Sequence, residues 1–373
     1  MRFRFNPFLR PGVVAAPPRR AALDFHCSLQ EYAPTPLHAC AEGARSLGIA
    51  GLYVKDESQR FGLKAFKGLG ASWALHRLLQ EWRAAGTPPP TGVATATDGN
   101  HGRAMAWAAR RAGIAATIFI PAHSSPARIE AIRGEGARIV PVEGTYDDAV
   151  RRCAEESAAQ GWQVIADTGY EGYMEIPILV TEGYGTLFAE VEAQIEDGLG
   201  PQPDLVLVQG GVGALAAAAA GHYRRRKKRP ILAVVEPVDA DCLLESILSE
   251  DGQPHPARGR QGSIMAGLNC GNASLAAWPT LRRGVDLFFS IEDRFAEEAL
   301  RRLHEPAPGD PSIEAGESGA AGLAGLIALL TDDVFRDARA RLSLSAETVA
   351  LVINTEGATD PELVRRILSE PLP

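Results

Sequence analysis

The sequence predicts an α/β protein built on open parallel sheets, and three observations carry that reading. Short apolar segments alternate with segments of helical periodicity from residue 51 almost to the end, which implies parallel strands joined by crossover helices. The 373 residues exceed one ordinary core at roughly 100 to 200 residues per domain, so two domains are expected. Glycine-rich or polar turns follow several of the strands directly, and that is where an open parallel sheet takes its ligand.

Residues 1–50 are punctuated by proline, and the first clear strand is 51–54, running into the stretch that ends at Lys67. Apolar spacing then predicts a helix over 68–82. Strands follow at 92–96, 116–121, 138–142 and 163–166, with helices at 101–112, 126–135 and 146–160 between them. A second series has a long amphipathic helix at 183–199, a strand at 205–208, an alanine-rich helix from Ala214 and a strand at 231–236. The Gly, Pro and charge content of 250–263 predicts a loop. Helices are expected at 292–303, 319–330 and 332–340, and 348–354 is a strongly apolar closing strand. The sequence has no internal repeat and no long low-complexity segment.

Composition narrows the class. Hydrophobic residues at 46% and charged residues at 23% belong to a soluble globular protein. A net charge of -8 gives no electrostatic reason to expect nucleic acid or an anionic membrane as partner. The basic run 224–229 follows the alanine-rich helix and is read as a solvated helix end near its negative pole. The cysteines Cys27, Cys40, Cys153, Cys242 and Cys270 have no CxxC pair and no zinc-site spacing, so no metal is expected and a reduced, cytoplasmic protein is the default. A Cys242 to Cys270 bridge stays open. Residues 1–20 have no apolar stretch ending at a cleavage site, and no apolar run reaches the ~18 residues of a membrane span.

The chemistry gathers where strands end and helices start. Lys67 opens a helix, where the amide dipole disfavours an ammonium and lowers the lysine pKa, a setting for Schiff-base formation. In Thr97-Asp98-Gly99-Asn100-His101-Gly102, glycines let the backbone approach a ligand, helix-start N–H groups hold a carboxylate, and Asn100 can donate to an oxygen. In Gln209-Gly210-Gly211-Val212-Gly213-Ala214, successive glycine N–H groups form an anion nest that fits a phosphate on a compact cofactor and departs from both the Walker and the Rossmann fingerprints. Asp167, after the strand 163–166, is either an acid or base or a turn cap. Thr355, after the closing strand, is placed to meet a heterocycle, and a hydroxyl there would leave a pyridine nitrogen unprotonated.

A helix-start lysine, a phosphate nest and an Asn-bearing anion loop, all at strand ends, describe a pyridoxal phosphate site. The chain resembles the tryptophan-synthase-like, fold type II, pyridoxal-phosphate enzymes and within them the diaminopropionate ammonia-lyase family, from about Tyr32 to Pro361. The resemblance rests on Lys55-Asp56-Glu57-Ser58, Ala65-Phe66-Lys67, the Thr97 to Gly102 loop, Asp167-Thr168 with Glu171-Gly172-Tyr173, Glu182-Gly183-Tyr184-Gly185-Thr186, Gly210-Gly211-Val212-Gly213, Met265-Ala266-Gly267-Leu268, Gly316-Glu317-Ser318-Gly319-Ala320 and Thr355-Glu356-Gly357.

The resemblance implies a large cofactor-binding domain of residues 1–64 and 172–373, a small domain of 65–171, the cofactor in the cleft between them, and a homodimer. It implies Lys67 as cofactor lysine, Asp98 and Asp167 as acid/base residues serving either enantiomer, and Thr97, Asp98, Gly99 and His101 around the substrate. Asn100 would contact the ring oxygen, Gly210, Gly211, Val212 and Gly213 the phosphate, and Thr355 the ring nitrogen. The activity implied is loss of ammonia from 2,3-diaminopropionate to give pyruvate. The chain departs from the family at Tyr170, usually tryptophan, at Asn269, Asn272 and Ala273, and at Ala358, usually aspartate. Those departures keep a specialised β-eliminase or β-replacement enzyme as the alternative, with an inactive cofactor-binding protein as the non-enzymatic one.

Overall fold

A computed structural model describes residues 1–13, 20–97, 99–144, 146–224, 226 and 228–370. Its strands are β1 (Arg2–Phe5), β2 (Leu37–Ala39), β3 (Gly51–Asp56), β4 (Val93–Ala96), β5 (Ala116–Pro121), β6 (Arg138–Val142), β7 (Gln163–Val164), β8 (Leu205–Gln209), β9 (Ile231–Pro237), β10 (Leu287–Ile291) and β11 (Val349–Asn354). They form a seven-stranded sheet in the order β1-β10-β9-β8-β11-β3-β2 and a four-stranded sheet in the order β6-β5-β4-β7. The small sheet is wholly parallel. In the large one only the edge strands β1 and β2 run antiparallel to their neighbours.

The central strands read as unbroken apolar runs because helices cover both faces. Val206, Val208, Leu351 and Ile353 enter one core with the helices Glu175–Gln194 and Ala214–Tyr223. The alternate residues Leu205, Leu207, Ala350 and Val352 enter the other with Asp293–His304 and Ala321–Thr331. Every residue of Ala214–Tyr223 is buried; its alanines carry no side chain long enough to hold neighbouring helices away.

The predicted alternation is present, with 116–121, 138–142 and 146–160 at the expected bounds. Three strands lie outside the predicted set. The edge strands β1 and β2 sit in the proline-punctuated region, and β10 is a five-residue apolar run that periodicity alone does not assign. The helix expected from Gly183 begins at Glu175, because Pro177 falls in its first turn, where the missing N–H has no intrahelical acceptor. The basic run is less solvated than expected: Arg229 grips both oxygens of Asp286 at 2.6 and 2.7 Å. Among the described residues no helix is long and apolar enough to cross a membrane.

Candidate active site

The approach to Lys67 is fixed by buried charges. At the end of β3, Lys55 Nζ donates to Glu190 and to Thr35 O, both at 2.7 Å. Arg60 donates to both oxygens of Glu57 at 2.7 Å and to both oxygens of Glu190 at 2.7 and 2.8 Å. The chain then bends through left-handed Phe61 (φ 54°) and Lys64 (φ 57°), a conformation that costs non-glycine residues free energy and survives where the surroundings enforce it. The Phe66 N–H donates to Thr355 O at 3.1 Å, which sets Lys67 beside the loop after β11. Lys67 is the residue before the helix Gly68–Ala84.

Lys67 Nζ donates to Asp167 Oδ2 at 2.6 Å. Burial works to lower the lysine pKa, but the Asp167 charge prevails and raises it above the ordinary value. The lowered pKa expected from the helix start is therefore corrected: a carboxylate in direct contact outweighs the dipole of one helix. Burial would raise the pKa of Asp167, yet Lys67 and then His101 hold it well below the usual carboxylate range. His101 is buried, with Nε2 donating to Ile165 O at 3.0 Å and Nδ1 3.8 Å from Asp167 Oδ2. It lies beside Asp167 and lines the same cavity.

The loop after β4 wraps around Thr97, whose Oγ1 accepts from Gly99 N at 3.0 Å and Gly102 N at 3.1 Å. That hydroxyl shapes the anion loop, a role its residue type did not reveal. Asn100 begins the helix Asn100–Ala112 and donates through Nδ2 to Glu356; an amide nitrogen carries a second hydrogen for another oxygen. Asp98 lies outside the described residues.

The nest after β8 is smaller than expected. The Gly210 N–H is taken by Val235 O at 2.8 Å, and Gly210 is absent from the cavity wall, whereas Gly211, Val212, Gly213 and Ala214 line it. Gly213 has φ 96° and precedes the helix Ala214–Tyr223, whose start has no side-chain cap, so donors stay available at its N-terminus. Opposite, Thr355 Oγ1 accepts from Gln209 Nε2 at 3.0 Å and is 3.5 Å from Ser318 O, which leaves the hydroxyl proton weakly engaged.

Two buried acids close this end. Burial, then the charge of Glu356, pushes Glu317 up to about 8. Burial likewise raises Glu356, although Arg128 and Asn100 favour its charge. Arg128, from the small-sheet helix Pro126–Arg133, reaches Glu317 at 3.5 Å. Neither acid nor Arg128 was singled out for a role from sequence, since their significance lies in contacts between distant segments.

A cavity of about 960 Å³ joins these groups: Lys67, Asn100, His101, Asp167, the Gly211 to Ala214 turn and Thr355 all face it. Tyr170, Asn269, Cys270 and Asn272 also line it, while Ala358 lines a separate, smaller pocket. All five cysteines are unbridged, Cys242 and Cys270 included.

Residues 29–354 match the family described as pyridoxal-phosphate dependent enzyme. The diaminopropionate ammonia-lyase of Salmonella typhimurium is 39% identical over 365 residues, 93% of this chain and 90% of that protein. Its Escherichia coli K12 counterpart is 38% identical over 367 residues, 94% and 91% of the two chains. A crystal structure of the Escherichia coli diaminopropionate ammonia lyase in complex with an aminoacrylate-PLP azomethine reaction intermediate superposes with a TM-score of 0.90 at 36% identity, covering 98% of this chain and 96% of that one.

Proposed function

The chain belongs to the pyridoxal-phosphate dependent enzymes, with the type II fold, and on that footing we propose that it eliminates ammonia from 2,3-diaminopropionate, leaving pyruvate and a second ammonia. The observation that carries this reading is the Lys67 to Asp167 contact of 2.6 Å at the wall of a cavity that also holds a glycine turn and a weakly engaged threonine hydroxyl.

Those residues fit pyridoxal phosphate. The uncapped start of Ala214–Tyr223, with Gly211, Val212 and Gly213 before it, suits a phosphate; a Cβ on Gly211 would stand 3.0 Å from Cys270 Sγ, so this wall is shaped by the absence of a side chain. Lys67 would hold the aldehyde carbon, the second N–H of Asn100 the ring oxygen, and Thr355 the ring nitrogen. When bound, the cofactor supplies an electron sink for negative charge at the substrate α-carbon.

The chain's own groups manage the protons. Asp167 holds Lys67 as an ammonium, so this contact has to open before the lysine, having lost its proton, can form a bond to carbon. Lys67 Nζ, when it is not bonded to the cofactor, would remove the α-proton from one face of the substrate. Asp98 and Asp167 serve as acid and base, which extends the reaction to both enantiomers. Loss of the β-nitrogen as ammonia gives 2-aminoacrylate, which water converts to pyruvate and ammonia. Thr97 holds the anion loop in shape for the substrate carboxylate, and His101 lies beside Asp167.

The reading extends to a cytoplasmic homodimer with a large domain of 1–64 and 172–373 and a small domain of 65–171. All strands of the small sheet fall inside 65–171, and the unbridged thiols suit a reducing compartment. Retention of Lys67 and Asp167 speaks against an inactive binding protein. Tyr170, Asn269 and Asn272 in the cavity wall are where a different leaving group would be selected. Incubation with D- and L-2,3-diaminopropionate, serine, threonine and O-acetylserine, with pyruvate and 2-oxobutyrate measured, tests the reading. Fastest pyruvate release from diaminopropionate is the expected result; preference for another of these amino acids would transfer the assignment to that substrate.

A further inference from the structure

We propose that Tyr184 is a positioning residue for Lys67, its phenol oxygen meeting the lysine nitrogen when that nitrogen leaves Asp167. The motif Glu182-Gly183-Tyr184-Gly185-Thr186 lies inside the helix Glu175–Gln194, and the mechanism above does not use it. Its placement is specific. A Cβ on Gly183 would fall 2.4 Å from Leu69 O, and one on Gly70 would fall 2.6 Å from the Tyr184 ring. Only glycines allow the helix that Lys67 opens and the helix that carries Tyr184 to cross this closely. The crossing seats the phenol, 0% exposed, against Phe66 with ring centres 4.6 Å apart.

The oxygen of that phenol is the unexplained part. It is buried with no well-formed hydrogen bond among the described residues. Lys67 already acts on it by charge and as a side-chain hydrogen-bond partner, and Asp167 by charge, but the geometry falls short of a full hydrogen bond while Lys67 spends its short one on Asp167. A buried hydroxyl left unpaired costs stability, and packing alone would be served as well by phenylalanine. The oxygen therefore belongs to another state of Lys67. The groups acting on the Lys67 nitrogen are Asp167 from the loop after β7, with His101 beside it, Cys270 from the cavity wall, and Tyr184. The first three face the cavity, and Tyr184 does not. A ligand can push against Asp167, His101 or Cys270 but cannot displace Tyr184, so Tyr184 offers the released amine a fixed, dry partner.

This rests on Lys67 being the cofactor lysine. The test uses the holoenzyme of the wild type, Tyr184→Phe and Tyr184→Leu, with kcat and KM for diaminopropionate, the pH titration of the cofactor's visible absorbance, and Tm of the cofactor-free proteins. In Tyr184→Phe, kcat should fall about 10- to 100-fold at unchanged KM, the absorbance titration should shift, and Tm should equal or exceed that of the wild type. Tyr184→Leu should show the same kcat loss together with a lower Tm. A Tyr184→Phe enzyme with wild-type kcat and titration would overturn the proposal, as would one whose Tm falls along with its kcat. Should the wild type itself fail to turn over diaminopropionate, the substrate reading fails, and the absorbance titration and Tm still decide the role of Tyr184.

Discussion

Two groups of buried charges lie within a few residues of each other in this chain, and they are built on opposite plans. Lys55, Glu57, Arg60 and Glu190 balance two positive against two negative charges, and each makes direct hydrogen bonds or ion pairs to others of the group. Around Lys67 the balance is incomplete. Tyr184 Oη, Gln209 Oε1, Glu317 Oε2 and Glu356 Oε1 are buried without a full hydrogen bond among the described residues, and the Lys67 and Asp167 pair opens onto a cavity. A satisfied cluster fixes a backbone; an unsatisfied one beside a cavity is kept for a ligand and for proton transfer. Charge alone, which both groups have, does not separate structure from chemistry.

That contrast can be broken by moving one charge at a time. The largest effect is expected from Lys67→Ala, which should lower kcat by roughly 10³-fold or more while costing the fold little, because water can reach the Asp167 that it leaves alone; pyruvate assays and urea unfolding of the same preparation check both halves. Asp167→Asn should come next, with kcat reduced about 10²- to 10⁴-fold and the cofactor still bound, as read from visible absorbance.

Arg60→Met reverses the pattern. It leaves Glu57 and Glu190 buried with too little positive charge, and should cost the fold about 3–5 kcal/mol while the folded fraction turns over normally. Loss of kcat without loss of stability in this variant would erase the distinction between the two groups.

The smallest effect is a slope. Glu317 is raised from 4.5 to about 8, by burial first and the Glu356 charge second, so between those values the folded state keeps a proton that the unfolded chain has released. Stability then falls as pH rises from about 4.5 through about 8. Urea midpoints of the wild type at pH 6 and 9 should show the fall, and Glu317→Gln, which has no proton to lose, should flatten it.

The sequence made the site's loops legible because their chemistry is local. A glycine turn before an alanine-rich helix, or an Asn and two glycines after a short strand, announces itself within a few residues. Contacts between distant segments were hidden. The sign of the Lys67 shift was misread because its deciding partner, Asp167, stands 100 residues away. Gly210 was counted in the nest because a glycine's type does not tell whether its N–H is already taken by Val235 O. Arg128 reads as an ordinary helix arginine until the small sheet brings it to Glu317. Among the missed strands, β1 does carry a signal, the Arg and Phe alternation of Arg2–Phe5, but it pairs with β10, itself a short apolar run that periodicity cannot assign.

The most direct test of the whole account is where the cofactor is attached. Borohydride reduction of the holoenzyme followed by peptide mapping should find the pyridoxyl group on Lys67, in the unsatisfied cluster. A group found on Lys55, on Lys64 or on no lysine at all would contradict it.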